Sequence, residues 1–323
     1  MPHGQCDATL YGNDADMSKE TITNMAASVL ARLKNLARVR KQDYQHLLLR
    51  YATERFPYRL SISPYGDLFV LKGGNLFVIW QNGDNSRPTL DSDLLCFGDT
   101  SHDHMRRVFA DISRLDNADG IQYDADGITV EAIREAAKYG GTRVCFNAFI
   151  GTVRIPMQFD IGVGDVVTPS PELADFPVLL NGEVPRLRVY PMATTIAEKV
   201  EAMVVRGGSN SRMKDFYDIW KLTCLFEHSS AQLRTAIANT FRRRGTDLPE
   251  SVPYALTADF AKRPEKPVQW RAFCRKNRIT DVSLVFEEVV MRLAAFLIPC
   301  FMNTSDNDMR WLPEHGWENA ELK

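Results

Sequence analysis

Residues 87–95, RPTLDSDLL, place Asp91 and Asp93 at alternate positions of a stretch that predicts a β-strand over residues 89–97. Side chains at i and i+2 of a strand point to the same face, so the two carboxylates are expected to lie close together. Like charges held that close repel each other unless a cation lies between them, and oxygen ligands suit Mg²⁺. The pair therefore predicts a magnesium site, with a solvated acidic strand end as the alternative.

A glycine pair precedes this strand. In FVLKGG, residues 69–74, an apolar run meets Gly73 and Gly74, and a short helix is predicted over residues 76–80. Backbone N–H groups at such a turn can receive a phosphate group. The order of strand, Gly-Gly, helix and Asp-x-Asp strand favours this interpretation over a simple turn.

A third carboxylate follows on a later strand. The segment 154–163 alternates apolar and polar residues, which predicts a strand with Asp160 on its polar face. Asp160 is therefore a candidate third metal ligand, with an exposed edge-strand aspartate as the alternative. The segment 143–150 alternates in the same way and predicts a neighbouring strand.

The pattern of the chain changes after Pro191. Before it, helices and strands are mixed, and after it only helical periodicity follows, which places a domain boundary between residues 1–190 and 191–323. The predicted fold class is α+β, a small mixed sheet followed by a helical domain that closes the cleft. Helices are predicted over residues 17–40, 43–60, 102–115, 195–206, 213–226, 231–244, 267–277 and 283–301, and one more short strand over 185–190.

Two helices of the second half carry candidate charged residues. Thr195 and Glu198 fit a capping box, which would place Lys199 in the first turn, beside the positive end of the helix dipole. A lysine there favours a bound anion such as a triphosphate, with a surface lysine as the alternative. Asp215 and Asp218 lie three residues apart and can share a flank of the next helix, where the alternative is a salt bridge to Lys214 or Arg212.

Composition excludes several classes of protein. The 323 residues are 45% hydrophobic and 25% charged, with a net charge of −2, so a disordered chain and a globally basic nucleic-acid coat are both excluded. Residues 241–278 are nevertheless locally basic, and they predict either solvated helix faces or a track for an RNA backbone. Arg242, Arg243, Arg244, Arg271, Arg275 and Arg278 belong to this segment.

The cellular setting is predicted from cysteines and hydropathy. The six cysteines include no C-x-x-C pair, which favours reduced thiols in the core and a cytoplasmic protein. No apolar run approaches the ~20 residues that a membrane span needs. The N-terminal residues have neither the basic nor the apolar region of a signal peptide.

The order of these motifs is similar to that of the polymerase-β-like nucleotidyltransferase superfamily. More narrowly, the chain resembles the abortive-infection AbiEii/AbiGii toxin family. The segments that carry the resemblance are FVLKGG (69–74), RPTLDSDL (87–94), FDIGVGD (159–165), IAEKVEAM (196–203) and RMKDFYDI (212–219).

The resemblance implies a metal-dependent enzyme that transfers nucleotides from an NTP to an RNA acceptor, with the tRNA 3′ end expected. It implies that Asp91, Asp93 and Asp160 bind Mg²⁺ or Mn²⁺, and that Asp91, Asp93, Lys199 and Asp215 are catalytic. Asp215 would help to position or deprotonate the attacking hydroxyl. The biological role implied is a toxin of an abortive-infection system with a cognate antitoxin protein.

The nucleotide phosphates would be held by Gly73, Gly74, Thr89 and Lys199. Thr89 is also expected on the strand face of the two aspartates, and the resemblance implies that its hydroxyl can be phosphorylated, which would inactivate the toxin. Three features depart from the family pattern: Ser92 stands where an apolar residue is usual, Asn75 stands where a small hydroxyl residue is common, and the 16-residue gap between Gly74 and Asp91 is long.

Two other functions use the same residues. A kinase-like or protein-modifying transferase could use the same NTP and metal site. A non-catalytic module could bind a partner through a decayed site, although the presence of Asp91, Asp93, Lys199 and Asp215 argues against decay.

Overall fold

The computed structural model describes residues 24–84, 89, 91–115, 117–133, 140–302 and 308–320, and it has the predicted α+β architecture. Its helices are α1 Met25–Arg40, α2 Tyr44–Ile62, α3 Leu76–Trp80, α4 His102–Arg114, α5 Met192–Arg206, α6 Met213–Leu225, α7 Ser230–Arg244, α8 Ala258–Ala261, α9 Glu265–Lys276 and α10 Phe286–Phe301. Its strands are β1 Phe69–Lys72, β2 Ser92–Cys96, β3 Gln122–Tyr123, β4 Thr129–Ile133, β5 Gly141–Ile150, β6 Val153–Val163, β7 Glu172–Asp175, β8 Arg186–Val189, β9 His228–Ser229, β10 Met309–Leu312 and β11 Gly316–Asn319.

A mixed sheet forms the centre of the first half. Its strand order is β3-β5-β6-β2-β1-β8-β7, and β4 also pairs with β5. β1 runs antiparallel to β2, whereas β2 runs parallel to β6. The Gly-Gly strand, the Asp-x-Asp strand and the strand of Asp160 are therefore consecutive neighbours in the sheet.

The two long strands follow the alternation of their sequences. Val144, Phe146, Ala148 and Ile150 of β5 are buried, and β6 buries Ile155, Met157, Phe159 and Ile161. Alternate side chains of a strand face opposite sides, so the apolar set packs on the core and the polar set faces away from it. This arrangement confirms the predicted faces of both strands and leaves Asp160 on the polar side.

The buried hydrophobic residues divide into two clusters near Tyr190. One runs from Val29 to Tyr190 and joins α1, α2 and α4 to the sheet. The other runs from Ala193 to Trp311 in the helical half and also takes in Phe77. The predicted division between residues 190 and 191 coincides with this gap and stays a prediction about domains.

Several predicted boundaries differ from the structure. Residues 17–23 of the first predicted helix lie outside the described residues, as do residues 85–88 and 90 before the Asp-x-Asp strand. β2 begins at Ser92 rather than at residue 89, so Asp91 precedes the strand. α5 begins at Met192 rather than at Thr195. The short strands β3, β4, β7 and β9–β11 were not predicted, because segments of two to five residues carry little periodicity.

No helix in the described part of the chain is both long and apolar enough to span a membrane. Cys96, Cys145, Cys224, Cys274 and Cys300 are free thiols, as the sequence predicts, and Cys6 lies outside the described residues.

Candidate active site

Four charged side chains form a row across four strands of the sheet. Lys72 pairs with Asp93, Asp93 with Asp160, and Asp160 with Arg143, on β1, β2, β6 and β5 in turn. Residues directly opposite each other on neighbouring strands share a face of the sheet. The row therefore places two aspartates side by side, with a cation at each outer end.

Asp93 belongs to this acidic row, and Asp91 lies two residues before it in the chain. Asp91 is exposed just before β2, and Asp93 is half-buried within the strand. Burial raises the pKa of Asp93 to about 6; Asp160 and Asp91 also raise it, while Lys72 and Lys214 act to lower it. Removal from water and the neighbouring carboxylates thus make the ionised Asp93 costly, and a bound cation would relieve that cost.

Gly73 leaves the space that the Asp93 carboxylate fills. The backbone of Gly73 has φ +74°, and a Cβ built there would lie 1.9 Å from Oδ2 of Asp93. A side chain at this position would be strained by its backbone and would displace the carboxylate. Gly73 and Gly74 belong to a 3₁₀ turn between β1 and α3, as the predicted order requires.

Asp160 is bound on its outer side by Arg143. Arg143 Nε donates to Oδ1 and Nη2 donates to Oδ2, both at 2.8 Å, and Gln158 Nε2 also donates to Oδ1 at 3.3 Å. A parallel guanidinium–carboxylate pair of this kind is a strong, directional contact. Sequence reasoning missed Arg143, because only the pairing of β5 with β6 brings it to Asp160.

Lys72 joins the acidic row to the helical half. Its ammonium lies 2.9 Å from Asp165 and 3.4 Å from Glu198. Although burial alone would lower the pKa of Lys72, Glu198 and Asp165 raise it, so the residue is charged. Arg244 completes the cluster through Asp165 at 3.1 Å and Glu198 at 3.4 Å.

Lys199 lies between two buried aspartates of α6. Its Nζ is 2.9 Å from Asp215 Oδ1 and 2.7 Å from Asp218 Oδ2, and Arg212 Nε is 2.7 Å from Asp215. The sequence predicts that the two aspartates share a flank of α6, and the structure brings both to Lys199. Burial opposes ionisation of Asp215, but Lys199 and Arg212 lower its pKa overall. A carboxylate with a lowered pKa is a poor proton acceptor.

The capping box predicted at Thr195 and Glu198 is wrong. α5 begins three residues earlier, with Pro191 at its N-cap position, and the Thr195 amide bonds to the Pro191 carbonyl at 3.2 Å. Glu198 instead bonds to Lys72. Lys199 is thus in the second to third turn of α5, where the field of the helix N-terminus has decayed.

The two residues that depart from the family pattern, Asn75 and Ser92, bond to each other. Asn75 Nδ2 donates to Ser92 Oγ at 3.0 Å, and both side chains are buried. A buried polar group is costly unless it is paired, so each residue makes the other acceptable. The pair fixes the Gly-Gly turn against the first residue of β2.

Thr89 is half-buried beside a small cavity. This cavity of about 10 Å³ is lined by Thr89 with His46, Arg50, Asn75 and Phe176 among others, and not by Asp91 or Asp93. The Thr89 Oγ1 atom is buried and has no hydrogen-bond partner among the described residues. Because β2 starts after Thr89, its expected place on the strand face of the aspartates is not observed, and its contact with phosphates stays a prediction.

The basic segment divides into two parts. Arg244 forms ion pairs with Asp165 at 3.1 Å and with Glu201 at 2.9 Å. Its guanidinium is therefore not available to a nucleic acid. Arg243 bonds the Gly164 carbonyl and Arg242 bonds Asn239. On and after α9, the arginines at positions 271, 275 and 278 are exposed, while Trp270 is core.

A separate cavity of about 310 Å³ lies between the β7–β8 edge and α7. Trp80, Tyr190, His228 and Gln232 are among its lining residues, which do not include Asp91, Asp93 or Asp160. We place the candidate site at the acidic row because the carboxylates and the Gly-Gly turn meet there.

A mixed sheet that presents an Asp-x-Asp pair beside a Gly-Gly turn, followed in the chain by a helical half, is typical of a nucleotidyltransferase-type domain. The profile of the family described as nucleotidyl transferase AbiEii toxin, type IV toxin–antitoxin system, matches residues 55–292. The chain belongs to this family, which confirms the resemblance seen in the sequence.

Solved structures give a weaker likeness. The crystal structure of JHP933 from Helicobacter pylori is 14% identical, with a TM-score of 0.46 over 81% of this chain and 94% of that one. A second H. pylori chain, provisionally described as a nucleotidyltransferase, is 15% identical, with a TM-score of 0.45 over 81% of this chain and 96% of that one. Comparison with curated proteins gives no match.

Proposed function

We propose that this protein is a metal-dependent nucleotidyltransferase that transfers a nucleotide from an NTP to a hydroxyl of RNA, most simply at a tRNA 3′ end, and acts as the toxin of a type IV toxin–antitoxin pair. The observation that carries the proposal is the Asp91–Asp93 pair beside the Gly73 turn, in a chain of this family. The acceptor oxygen would attack the α-phosphorus as the bond to the pyrophosphate oxygen breaks. The hydroxyl proton would pass to solvent.

The donor set fits a divalent metal held by two carboxylates. Among the residues that the structure describes, no group of three or more His, Cys, Asp or Glu side chains is arranged to hold a metal ion. Mg²⁺ commonly takes one or two protein carboxylates and fills its other positions with substrate phosphates and water, which Asp91 and Asp93 would permit. Mg²⁺ or Mn²⁺ bound there would neutralise negative charge on the phosphates.

The other candidate residues would hold the nucleotide. Gly73 and Gly74 offer a turn whose backbone N–H groups are proposed to meet the phosphate chain. Lys199 and Asp215 are proposed to act as one unit in which the aspartate fixes the ammonium. The ion pairs of Asp215 with Lys199 and Arg212 favour positioning of the attacking hydroxyl over its deprotonation as the proposed role of this carboxylate.

An RNA acceptor is supported by the exposed arginines of the α9 region at positions 271, 275 and 278. Contacts with phosphates would make binding weaken with salt. Reversal of these three charges should weaken tRNA binding and flatten its salt dependence by roughly 0.7 to 0.9 unit of slope per lost contact. A cognate antitoxin and a cytoplasmic location follow from the same proposal.

The test is incubation of the protein with Mg²⁺, tRNA and each NTP labelled at the α-phosphate, followed by a denaturing gel. Label should enter tRNA with at least one NTP, and it should not enter with Asp91→Asn or with tRNA whose terminal ribose has been oxidised by periodate. Label transferred from the γ-phosphate instead would indicate a kinase-like enzyme. No transfer with any NTP would support a non-catalytic module.

A further inference from the structure

The two aspartates of the acidic row, Asp93 and Asp160, are not equally neutralised by neighbouring cations. Asp160 is matched by the full charge of Arg143 in a two-bond pair. At the other end of the row, Lys72 is directed to Asp165 and Glu198 rather than bonded to Asp93. Asp93 of the row and Asp91, just before β2, therefore carry the negative charge that is left for a divalent cation.

Both carboxylate oxygens of Asp160 already accept hydrogen bonds. Each of its oxygens accepts a bond from the guanidinium at 2.8 Å, and Gln158 adds a third bond. A metal ion bound to the same oxygens would have to displace these bonds or lie beside a fixed positive charge. The arrangement thus favours metal binding by Asp91 and Asp93 alone, and the described residues hold no group of three or more such ligands.

The Arg143 guanidinium has N–H groups that do not bond to Asp160. Its two bonds to Asp160 use Nε and Nη2, so the Nη1 group takes no part in them. The side chain is 34% exposed, more than the 21% of Asp160, and Asp91 is among the charges that act on it. A guanidinium held rigidly by one carboxylate presents its outer edge in the planar fork that suits a phosphate.

We propose that Arg143 binds the phosphate chain of the nucleotide and that Asp160 is the positioning residue that holds Arg143, rather than a third metal ligand. This inference rests on the proposed function and concerns the substrate contacts of the same site. Arg143 then supplies, as a fixed cation, the positive charge that a second metal ion would bring to the phosphates.

The discriminating variant is the double change Arg143→Ala with Asp160→Asn. It removes one positive and one negative charge together, so the electrostatic field at Asp91 and Asp93 changes little. The probes are Mn²⁺ alone, followed by electron paramagnetic resonance, and the Mg²⁺ complex of inorganic tripolyphosphate, followed by calorimetry. Neither probe depends on transfer activity or on the identity of the base.

The double variant should keep its Mn²⁺ affinity within about threefold of the wild type, because it has lost no ligand and no net charge. It should lose about tenfold or more in affinity for tripolyphosphate, the effect of a charged hydrogen bond. The single change Arg143→Ala should raise Mn²⁺ affinity, because it frees Asp160. Asp91→Asn should lose Mn²⁺ binding.

Arg154→Ala is the matched control. Arg154 is an exposed arginine opposite Phe149 at the far end of the same β5–β6 pair, roughly 20 Å along β6 from Asp160. This control should bind both probes like the wild type, and thermal melting should show that all variants are folded.

The outcomes separate the two proposals. A double variant that loses Mn²⁺ as fully as Asp91→Asn would make Asp160 a metal ligand and overturn this inference alone. A double variant that binds tripolyphosphate like the wild type would also overturn it, since Arg143 would then make no phosphate contact. A wild-type protein that binds no Mn²⁺ would overturn the proposed metal site, and this inference with it.

Discussion

The Asp93 carboxylate occupies the space directly over Gly73, where a Cβ would approach Oδ2 to 1.9 Å. The two residues come from neighbouring antiparallel strands: Asp93 pairs with Lys72, the residue before Gly73. The Gly-Gly turn and the Asp-x-Asp strand are thus one packed unit, in which the turn sets the position of the carboxylate.

Gly73→Ala should fold with a lower melting temperature and lose transfer. The new methyl group forces Asp93 to move, and φ +74° costs a residue with a side chain roughly 1 to 2 kcal/mol. Thermal melting and the labelled-NTP assay measure the two effects.

Gly245→Ala is a control that separates backbone strain from the displacement of Asp93. Gly245 has φ +63°, and nothing lies within 4 Å of the Cβ that it would gain. This control should lose a similar amount of stability and keep transfer. If Gly73→Ala transferred as well as this control, the packing of the turn against Asp93 would not matter for activity.

Asp93→Asn should abolish transfer while raising the melting temperature in EDTA at pH 7.5. The pKa of Asp93 is raised to about 6, so its contribution to stability is present below pH 3.8 and is lost as the pH rises through about 6. The gain from Asn should therefore shrink as the pH is lowered toward 4. Asp91→Asn, at an exposed position, should abolish transfer with little change in melting.

The parts of the fold that the sequence predicts well are those with long periodicity. β5 and β6 alternate over ten and eleven residues, so their buried faces and the polar position of Asp160 could be predicted. The Asp-x-Asp pair and the Gly-Gly turn could be predicted for a different reason, since their chemistry depends on residues adjacent in the chain.

The contacts of the site depend on pairing between distant segments, which one sequence does not reveal. Arg143 and Asp160 are 17 residues apart and meet only through strand register. Glu198 satisfied a local capping pattern, yet it bonds Lys72, 126 residues away. The half-buried ammonium of Lys72 is a stronger partner for Glu198 than a helix end, so the tertiary contact prevails over the local motif.

Lys199→Ala should destabilise the protein strongly, whereas replacement of a lysine on an exposed helix flank would have little effect. Its ammonium is shared by Asp215 and Asp218, whose side chains are 2% and 1% exposed. Loss of one partner from a buried ion cluster costs about 3 to 5 kcal/mol of unfolding free energy. Chemical denaturation measures this loss.

Lys34→Ala, at an exposed position of α1, is the control and should change the unfolding free energy by less than about 0.5 kcal/mol. Adding Asp218→Asn to Lys199→Ala should recover part of the stability, because one buried charge is removed. A Lys199→Ala protein as stable as the control would mean that the cluster contributes nothing to folding.

Arg244→Ala should lower stability, whereas Arg242→Ala should not. Arg244 bonds Asp165 at 3.1 Å and Glu201 at 2.9 Å within a half-buried cluster. Arg242 is exposed and bonds Asn239 of its own helix. Melting temperatures of the two single variants test this directly. Equal melting would show that the Arg244 cluster does not join the two halves.

His228 should make the protein lose stability as the pH falls from 6.5 to 4. Its ring is buried against Phe296, and Nε2 lies 3.2 Å from the Leu222 carbonyl oxygen. Because a carbonyl oxygen can only accept a hydrogen bond, Nε2 carries the proton of the neutral ring. Burial lowers the pKa of His228 to about 4, and the bond to Leu222 offsets this in part. The contribution to stability is therefore complete above pH 6.5 and is lost as the pH falls through about 4, a change of roughly 3 kcal/mol.

His228→Gln keeps an amide donor for the Leu222 carbonyl and cannot take up a proton in this range. We expect this variant to be less stable than the wild type at pH 7, because it fills the site less well, and the difference to shrink or reverse by pH 4. Urea unfolding at half-unit pH steps gives the two stability curves. His102→Gln, at an exposed position of α4, should run parallel to the wild type throughout. Parallel curves for His228→Gln would mean that another group is responsible for the acid sensitivity.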